Sequence, residues 1–535
     1  MGCGSGCRPC HDTLARPRYD PVMDCRHHPA CPGCPLAGLA YPAQLKRKRD
    51  RLARALSYFP HLPQPEEIVG SQWTEGYRHR LKLPVSVSAK RASIGLYSRD
   101  GRRVLDTPDC PVLAEGLRAA LPGLMRWLRG RRGVHSVDLR VSQASAELQL
   151  ILACRGGELD GGQRAARTLM RQVPSIVSVS VSRADPQGRR VMGSKPRVIA
   201  GSKQLVERIG ATEYDLLPGA FFQVDPRQAA VLQGLVRQAV GDADSVLDLY
   251  AGVGAYALML ASQCSQVVAV EEVPAAVLAA RKRAPSHMKI LEGRVEDTRF
   301  EGRFDAVILN PARRGSDPAS LARIAKLASR AVYISCGPET LARDLDVLAA
   351  HGMRAKRVVP IDLFPQTPEV ESVVTLERGP ALKTWSRGRI RGPWGSHPSG
   401  AVGRPDEVLA LVLGAVRPGR YGPAMVERIA TVATHSFVRL KLAGSLDDAI
   451  VALARQGHRV AGRDRATARF FADKAGLVRP FVHVSRSGET TAPLHGDLRL
   501  VLDALDGEKR REPAGKSRGS RKHPGKRKKR KKRKR

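Results

Sequence analysis

The chain has 535 residues, and 90 Lys+Arg against 51 Asp+Glu give a formal net charge of +39. Hydrophobic residues are 42% of the total, enough for globular cores in several domains. No apolar run approaches the ~18–20 residues of a spanning helix, and the first residues lack the apolar stretch of a secretory signal, so a cytoplasmic protein is expected.

The charge calls for a polyanion, either nucleic acid or an anionic surface. Residues Lys509 to Arg535 hold 17 Lys/Arg and one acid, Glu512. Removing that +16 from +39 leaves +23, so the remainder is basic in its own right. The ten cations that end the chain repel one another, and 506–535 is expected to be a disordered tail with nonspecific RNA affinity.

From the start of the chain, residues 1–24 form an extension. Cys3, Cys7 and Cys10 have the spacing of radical S-adenosylmethionine enzymes, but no strand precedes them to carry such a site. Met23 is the simpler candidate for the true start of translation. Next come Cys25, Cys31 and Cys34, with Cys110 further on. In a cytosolic chain such clustering points to a metal or to catalysis more than to disulfides. Four thiolates suit either zinc or a [4Fe–4S] cluster, and their spacing alone does not choose.

Residues 41–56 (YPAQLKRKRDRLARAL) read as a basic helix. Alternating apolar patterns over 73–110 and 135–200 read as strands, so 25–205 is expected to be a β-rich central domain. From 206 to 380 strands and helices alternate: strand 245–250, helix 255–263, strand 266–272, helix 273–284, strands 305–310 and 331–336, and helix 338–352. That alternation predicts a doubly wound, Rossmann-like parallel sheet, giving an α/β fold overall. Residues 381–404 read as a linker, and 405–505 as a further α/β-like segment.

VLDLYAGVG (246–254) is a strand running into a Gly-rich turn. Gly252 and Gly254 allow close approach of a ligand, and the following helix would offer free N–H groups. Glu271 lies 19 residues after Gly252, where an acid accepts hydrogen bonds from ribose hydroxyls. This pattern admits a dinucleotide as well as S-adenosylmethionine. Cys336 ends one strand and precedes Gly337-Pro338, a helix start, where the thiol pKa should be lowered. Asn310, Arg313 and Arg314 follow another strand on the same carboxyl edge. Glu371 precedes the last strand, where a carboxylate can serve as a general base.

GAFFQVDP (219–226), VLDLYAGVG, NPARRG (310–315), YISCGPETLARDL (333–345) and IDLFPQTPEVESV (361–373) occur in this order. Together they resemble the S-adenosylmethionine-dependent RNA uracil-5-methyltransferases, over roughly 25–378. The resemblance implies Cys336 as the nucleophile that adds to uracil C6 and Glu371 as the base that removes the C5 proton. It implies cofactor contacts from Gln223, Tyr250, Gly252, Gly254, Glu271 and Asn310, with Phe221 and Phe222 either shaping the pocket or lying in the core. It also implies a [4Fe–4S] cluster on Cys25, Cys31, Cys34 and Cys110, as in the branch acting on 23S rRNA. The chain departs from the family at Asn310, usually Asp, and at Gly337, usually Asn. Ala255 and Arg294 replace residues that are more often polar and neutral. Only 24 residues precede Cys25, too few for the small RNA-binding barrel that the ribosomal branch often carries; helix 41–56 and the tail are expected to supply that charge instead.

Segments 434–442, 457–465 and 479–486 resemble the closing part of RNA pseudouridine synthases, without that family's catalytic aspartate motif. The expected function is 5-methyluridine formation in 23S rRNA. The alternatives are a tRNA substrate, a non-catalytic RNA-binding or ribosome-assembly factor, and a redox enzyme.

Overall fold

The computed structural model describes residues 22–185, 193, 195–382, 389–392, 395–398, 405–432, 434–462, 481–487, 490–491 and 494–509. Cys3, Cys7, Cys10, much of the expected linker and the tail beyond 509 lie outside these residues. Among the described residues no helix is long and apolar enough to cross a membrane.

A turn-rich loop carrying Cys25, Cys31 and Cys34 leads into α1 (Tyr41–Ser57). Pro42 suits its first turn, and Leu45, Leu52 and Leu56 form its buried apolar stripe. There follow β1 (Arg80–Val87), β2 (Ala92–Ile94), α2 (Glu115–Leu128), β3 (Val134–Val141), β4 (Leu148–Cys154), α3 (Gly162–Gln172), β5 (Ile176–Arg183) and β6 (Arg197–Gly201). The six strands form one sheet in the order β2-β1-β3-β4-β5-β6. Residues from α2 and α3 share a core with the inward side chains Leu81, Val137, Leu139, Leu150 and Val179. The region expected to be β-rich is therefore a mixed layer. Pro122 inside α2 reads as a breaker in sequence, but Leu117, Leu121, Leu124 and Leu128 make an apolar stripe that tertiary packing rewards.

The hairpin β7 (Leu205–Ile209) and β8 (Thr212–Leu216) precedes the second sheet. Then come α4 (Pro226–Val240), β9 (Ser245–Leu249), α5 (Ala257–Leu260), β10 (Gln266–Glu271), α6 (Pro274–Arg283), β11 (Met288–Glu292), β12 (Phe304–Leu309), α7 (Pro318–Ile324), β13 (Ala328–Ser335), α8 (Pro338–Ala350), β14 (Met353–Ile361) and β15 (Glu371–Arg378). The sheet order is β11-β10-β9-β12-β13-β15-β14. Five strands, β9 to β13, are parallel, but β15 runs antiparallel between β13 and β14. The sheet is thus not wholly parallel, as the strand–helix alternation had implied. Strand order reverses between β9 and β12, and such a switch point opens a crevice at the carboxyl ends of the strands.

A short hairpin, β16 (Arg389–Gly392) with β17 (Gly395–Pro398), lies within the expected linker. The last body contains β18 (Glu407–Leu413), β19 (Gly419–Tyr421), β20 (Ala424–Val432), β21 (His435–Leu442), α9 (Leu446–Arg455), β22 (Val482–Ser487), β23 (Thr490–Thr491) and α10 (Gly496–Lys509). Its six strands form an antiparallel sheet. α10 runs past residue 505 and takes the first residues expected of the tail. Its Leu500 joins the core of the seven-stranded sheet with Leu52 and Leu56 of α1, and the Phe59 and His495 rings meet edge-on at 6.1 Å.

Candidate active site

At the end of β9 the chain turns sharply, with positive φ at Tyr250 (+63°), Gly252 (+58°) and Gly254 (+81°). A Cβ at position 254 would also stand 3.1 Å from the Leu258 side chain, so glycine is needed there on two counts. The Gly252 N–H donates to Glu271 Oε2 and the Val273 N–H to Oε1, each at 2.8 Å. Each carboxylate oxygen has more than one acceptor site, so Glu271 keeps capacity for two ribose hydroxyls while it holds the glycine turn.

Beside this turn lies a pocket of about 470 Å³ of empty space, open solvent at its mouth included. Gln223, Tyr250, Gly252 and Asn310 line it, together with Ala255 and Tyr256. Of the predicted cofactor residues, Glu271 joins the pocket through Gly252, and Gly254 shapes the turn behind it. Arg294 is outside the lining and stands 3.5 Å from Glu296. The two phenylalanines have different surroundings. Both line the pocket, but Phe222 is buried against Tyr214, with centroids 5.3 Å apart, whereas Phe221 is 67% exposed.

One expectation for this loop fails. The helix after the turn, α5, has only four residues, and the N–H of its Ala257 is taken by Asp248 Oδ2 at 3.0 Å. The first N–H of the helix is therefore taken by the protein's own carboxylate. Asp248 is fully buried, and burial pushes its carboxyl up to about 7.

Cys336 follows β13 and precedes α8, on the carboxyl edge as expected. Glu371 opens β15, and the antiparallel register pairs Ser335 with Ser372. Continuing that register by one residue sets Cys336 opposite Glu371, at cross-strand spacing. The Tyr256 ring, in the pocket wall, feels the charge of Glu371, which connects the pocket to this pair.

The electrostatics reverse the expectation for the thiol. Burial, then the carboxylates of Glu371 and Glu369, push Cys336 up to about 11, against the guanidinium of Arg313. The first-turn dipole of α8 acts on a thiol that has lost its water, and desolvation wins. Glu371 is buried, not a surface acid, and burial pushes it up to about 8; Arg313 opposes this and Glu369 adds to it.

NPARRG forms the turn after β12. The Asp344 carboxylate accepts from the Ser316 N–H at 2.9 Å, from the Tyr333 hydroxyl at 2.5 Å and from Arg343, which also reaches the Arg314 carbonyl at 2.8 Å. Gly315 has φ +72°, and a Cβ there would stand 2.3 Å from Asp344 Oδ2. The motif YISCGPETLARDL therefore also buttresses the turn that carries Arg313. The departure at Gly337 has a local reason. A Cβ there would lie 2.6 Å from Thr340 Oγ1, whose one hydroxyl hydrogen is shared between the carbonyls of Arg313 and Gly337, at 3.1 and 3.0 Å.

Sequence reasoning missed Arg51 and Glu369. Glu369 stands 3.5 Å from Arg313 and raises both Cys336 and Glu371. Arg51 grips Glu339 with two nitrogens, at 3.1 and 3.0 Å. No motif spacing links Arg51 to Glu339, because they are 288 residues apart.

Cys25, Cys34 and Cys110 pack with Met23, Ala37, Tyr77 and Val112. Burial and then the charges of Cys110, Cys31 and Cys25 push Cys34 up to about 12, so the four thiols share one neighbourhood. Among the described residues, however, no three His, Cys, Asp or Glu side chains form a ready ligand set for an ion.

Residues 286–379 match the tRNA (uracil-5-)-methyltransferase family model, and 217–332 match the methyltransferase small domain. An uncharacterized RNA methyltransferase of Geobacter sulfurreducens is 30% identical over 421 residues, 73% of this chain and 83% of its own length. Another, from Gloeobacter violaceus, is 31% identical over 369 residues, 65% of this chain and 81% of its own. Among solved structures, the tRNA (uracil-54, C5)-methyltransferase of Pyrococcus abyssi, in complex with S-adenosyl-L-homocysteine, superimposes with a TM-score of 0.55 at 25% identity. That match covers 65% of this chain and 86% of the other. With a pocket at the sheet's switch point and these relatives, the chain belongs to the S-adenosylmethionine-dependent RNA uracil-5-methyltransferase family.

Proposed function

We infer that this protein methylates C5 of a uridine in 23S rRNA through a covalent adduct on Cys336. The reading is supported by the Ser335–Ser372 pairing, which continued by one residue brings Cys336 opposite the buried Glu371, and by the charge of Glu371, which acts on both Cys336 and Tyr256 in the pocket wall. Gln223, Tyr250, Gly252, Glu271 and Asn310 would hold S-adenosylmethionine, with Gly254 shaping the turn. When bound, it supplies the electrophilic methyl group that C5 takes.

The chain's own groups do the rest. The Cys336 thiolate adds to C6, which makes C5 nucleophilic. Arg313 favours the charged forms of Cys336 and Glu371, and its cation opposes the negative charge that grows on the ring. Glu371 then takes the C5 proton, the C5–C6 double bond reforms, and the thiolate departs. The uridine must leave its stack to reach this edge, and the exposed ring of Phe221 offers a surface for a base.

The choice of 23S rRNA rests on the four-cysteine set, which resembles that of the ribosomal branch. Four soft sulfur donors in one neighbourhood suit a thiophilic centre, and we assign them a [4Fe–4S] cluster that pins the entry loop. A tRNA uridine is the second reading, because the Pyrococcus abyssi neighbour acts on tRNA. The C-terminal sheet, with its likeness to pseudouridine synthases, is assigned to RNA binding or packing, and the tail to nonspecific affinity. A cytoplasmic location follows from an RNA substrate.

Nucleoside mass spectrometry of separated 23S rRNA and tRNA, from a strain lacking the protein and from its parent, tests the reading. Loss of 5-methyluridine from 23S rRNA alone is expected. Loss from tRNA alone would select the second reading, and no loss from either would overturn both.

The two raised pKa values also predict a pH profile. Cys336, at about 11, must lose a proton to attack, and Glu371, at about 8, must be charged to accept one. Both requirements favour higher pH. kcat/KM should therefore climb from pH 6.5 to 9, by roughly tenfold per unit where one proton must leave. A plateau reached below pH 7 would rule out this electrostatic account.

A further inference from the structure

One face of α1 is committed to the segment that leads to Glu371. Tyr41, Gln44, Lys48 and Arg51 recur at i, i+3, i+7 and i+10, so they line a single stripe. The Tyr41 hydroxyl and the Lys48 ammonium both donate to Asp362, at 2.9 and 2.5 Å, and Lys48 also donates to the Phe364 carbonyl at 3.0 Å. The Gln44 amide donates to Gln366 Oε1 and its oxygen accepts the Gln366 N–H, both at 2.9 Å. Arg51 donates to the Pro368 carbonyl at 3.4 Å.

The cysteine loop adds to this hold. Leu36 donates its N–H to the Gln366 carbonyl at 3.0 Å. Gln366 lies at φ +68°, a conformation that a buried non-glycine residue keeps only where its surroundings over-determine it.

Arg51 alone in the stripe touches both halves of the catalytic pair's support. Glu339, in its grip, lies three residues beyond Cys336; Pro368 lies three residues before Glu371. The basic helix, expected to serve RNA electrostatics, has Lys46, Arg47 and Arg54 exposed for that role and turns this other face inward.

We propose that Arg51, backed by Tyr41, Gln44 and Lys48, is a positioning residue that fixes Glu371 against Cys336 for the proton-removal half of the reaction. The proposal rests on the roles of Cys336 and Glu371 given above. In the methylated adduct, C6 is bonded to sulfur and C5 carries both a methyl group and a hydrogen. Glu371 takes that hydrogen as a proton. The C–H electron pair forms the C5–C6 double bond, and the C6–S pair leaves on Cys336 as thiolate. A displaced carboxylate slows this half, whereas cofactor binding does not pass through the 362–368 segment.

The test uses the full chain with uridine RNA and S-adenosylmethionine, quenched over time. It reads the covalent protein–RNA complex on a denaturing gel and the released 5-methyluridine by mass spectrometry. In Arg51→Ala the complex should accumulate and release should fall on the order of 100-fold, the scale of an ångström-sized misplacement. Arg51→Lys should not restore release, because an ammonium lacks the planar fork with which Arg51 pairs both Glu339 oxygens while reaching the Pro368 carbonyl. Gln44→Ala should show the same pattern more weakly.

Equal loss of adduct formation and release would overturn the proposal. So would a rise in RNA KM at unchanged kcat, which would make Arg51 a phosphate contact. If the wild type captured no 5-fluorouridine RNA, the Cys336–Glu371 reading itself would fall, and the proposal with it.

Discussion

Cys336→Ala should abolish methylation and the covalent complex with 5-fluorouridine RNA together, while S-adenosylmethionine affinity stays at the wild-type value. The expected loss is on the order of 10⁴-fold or more, because no other group can activate C5 once the nucleophile is gone. Its separation from the residues proposed to hold the cofactor is structural. Cys336 lies between β13 and α8, whereas Gln223, Tyr250 and Gly252 line a pocket at the β9–β12 switch point. Glu371→Gln should behave differently. The amide fits the same buried space but takes no proton, so the adduct should form on ordinary uridine RNA and persist. Release should fall by roughly 10²–10⁴-fold, the usual range for a lost general base. Cys336→Ala retaining measurable 5-methyluridine formation would end the covalent account.

The second large effect concerns stability. The Lys48 and Asp362 side chains are both fully buried, 2.5 Å apart. Burial pulls the Lys48 pKa down, and Asp362 is the main group pulling it back. Asp362→Ala leaves a buried ammonium without its partner and should cost about 3–5 kcal/mol. Asp362 also holds Tyr41 and the Phe364 N–H, so the segment before Glu371 should loosen at the same time. The double variant Lys48→Met/Asp362→Leu removes both charges and should recover much of the loss, since replacing a buried pair with apolar groups is often neutral. Urea unfolding of the full chain would measure both. Asp362→Ala costing under ~1 kcal/mol would show that water reaches Lys48 and that the pair is not the lock described.

Much of the site could be read directly. The glycine turn, Glu271 at the end of the next strand, Cys336 before Pro338 and Glu371 before the last strand all lie where their local patterns put them. Those features depend on a few neighbouring residues, and strand–helix alternation carries them to one sheet edge. Other features were not legible. Helix α5 is four residues long where an apolar run suggested nine: Ala255 and Tyr256 belong to the turn, and Asp248 accepts the N–H of Ala257, the first helical residue. Strand β15 enters antiparallel, and no alternation of polar and apolar residues reports strand direction.

Sequence by itself determined the reaction family and singled out the candidate nucleophile, base and cofactor turn, because each is a short pattern whose chemistry is local. Tertiary structure alone decided the sign of the Cys336 shift, the inward face of α1 and the reach of Arg51. Those depend on burial and on charges within a few ångströms, and the residues that supply them stand up to 322 positions apart along the chain. Desolvation and Coulomb energy follow distance in space, and a linear pattern does not contain that distance.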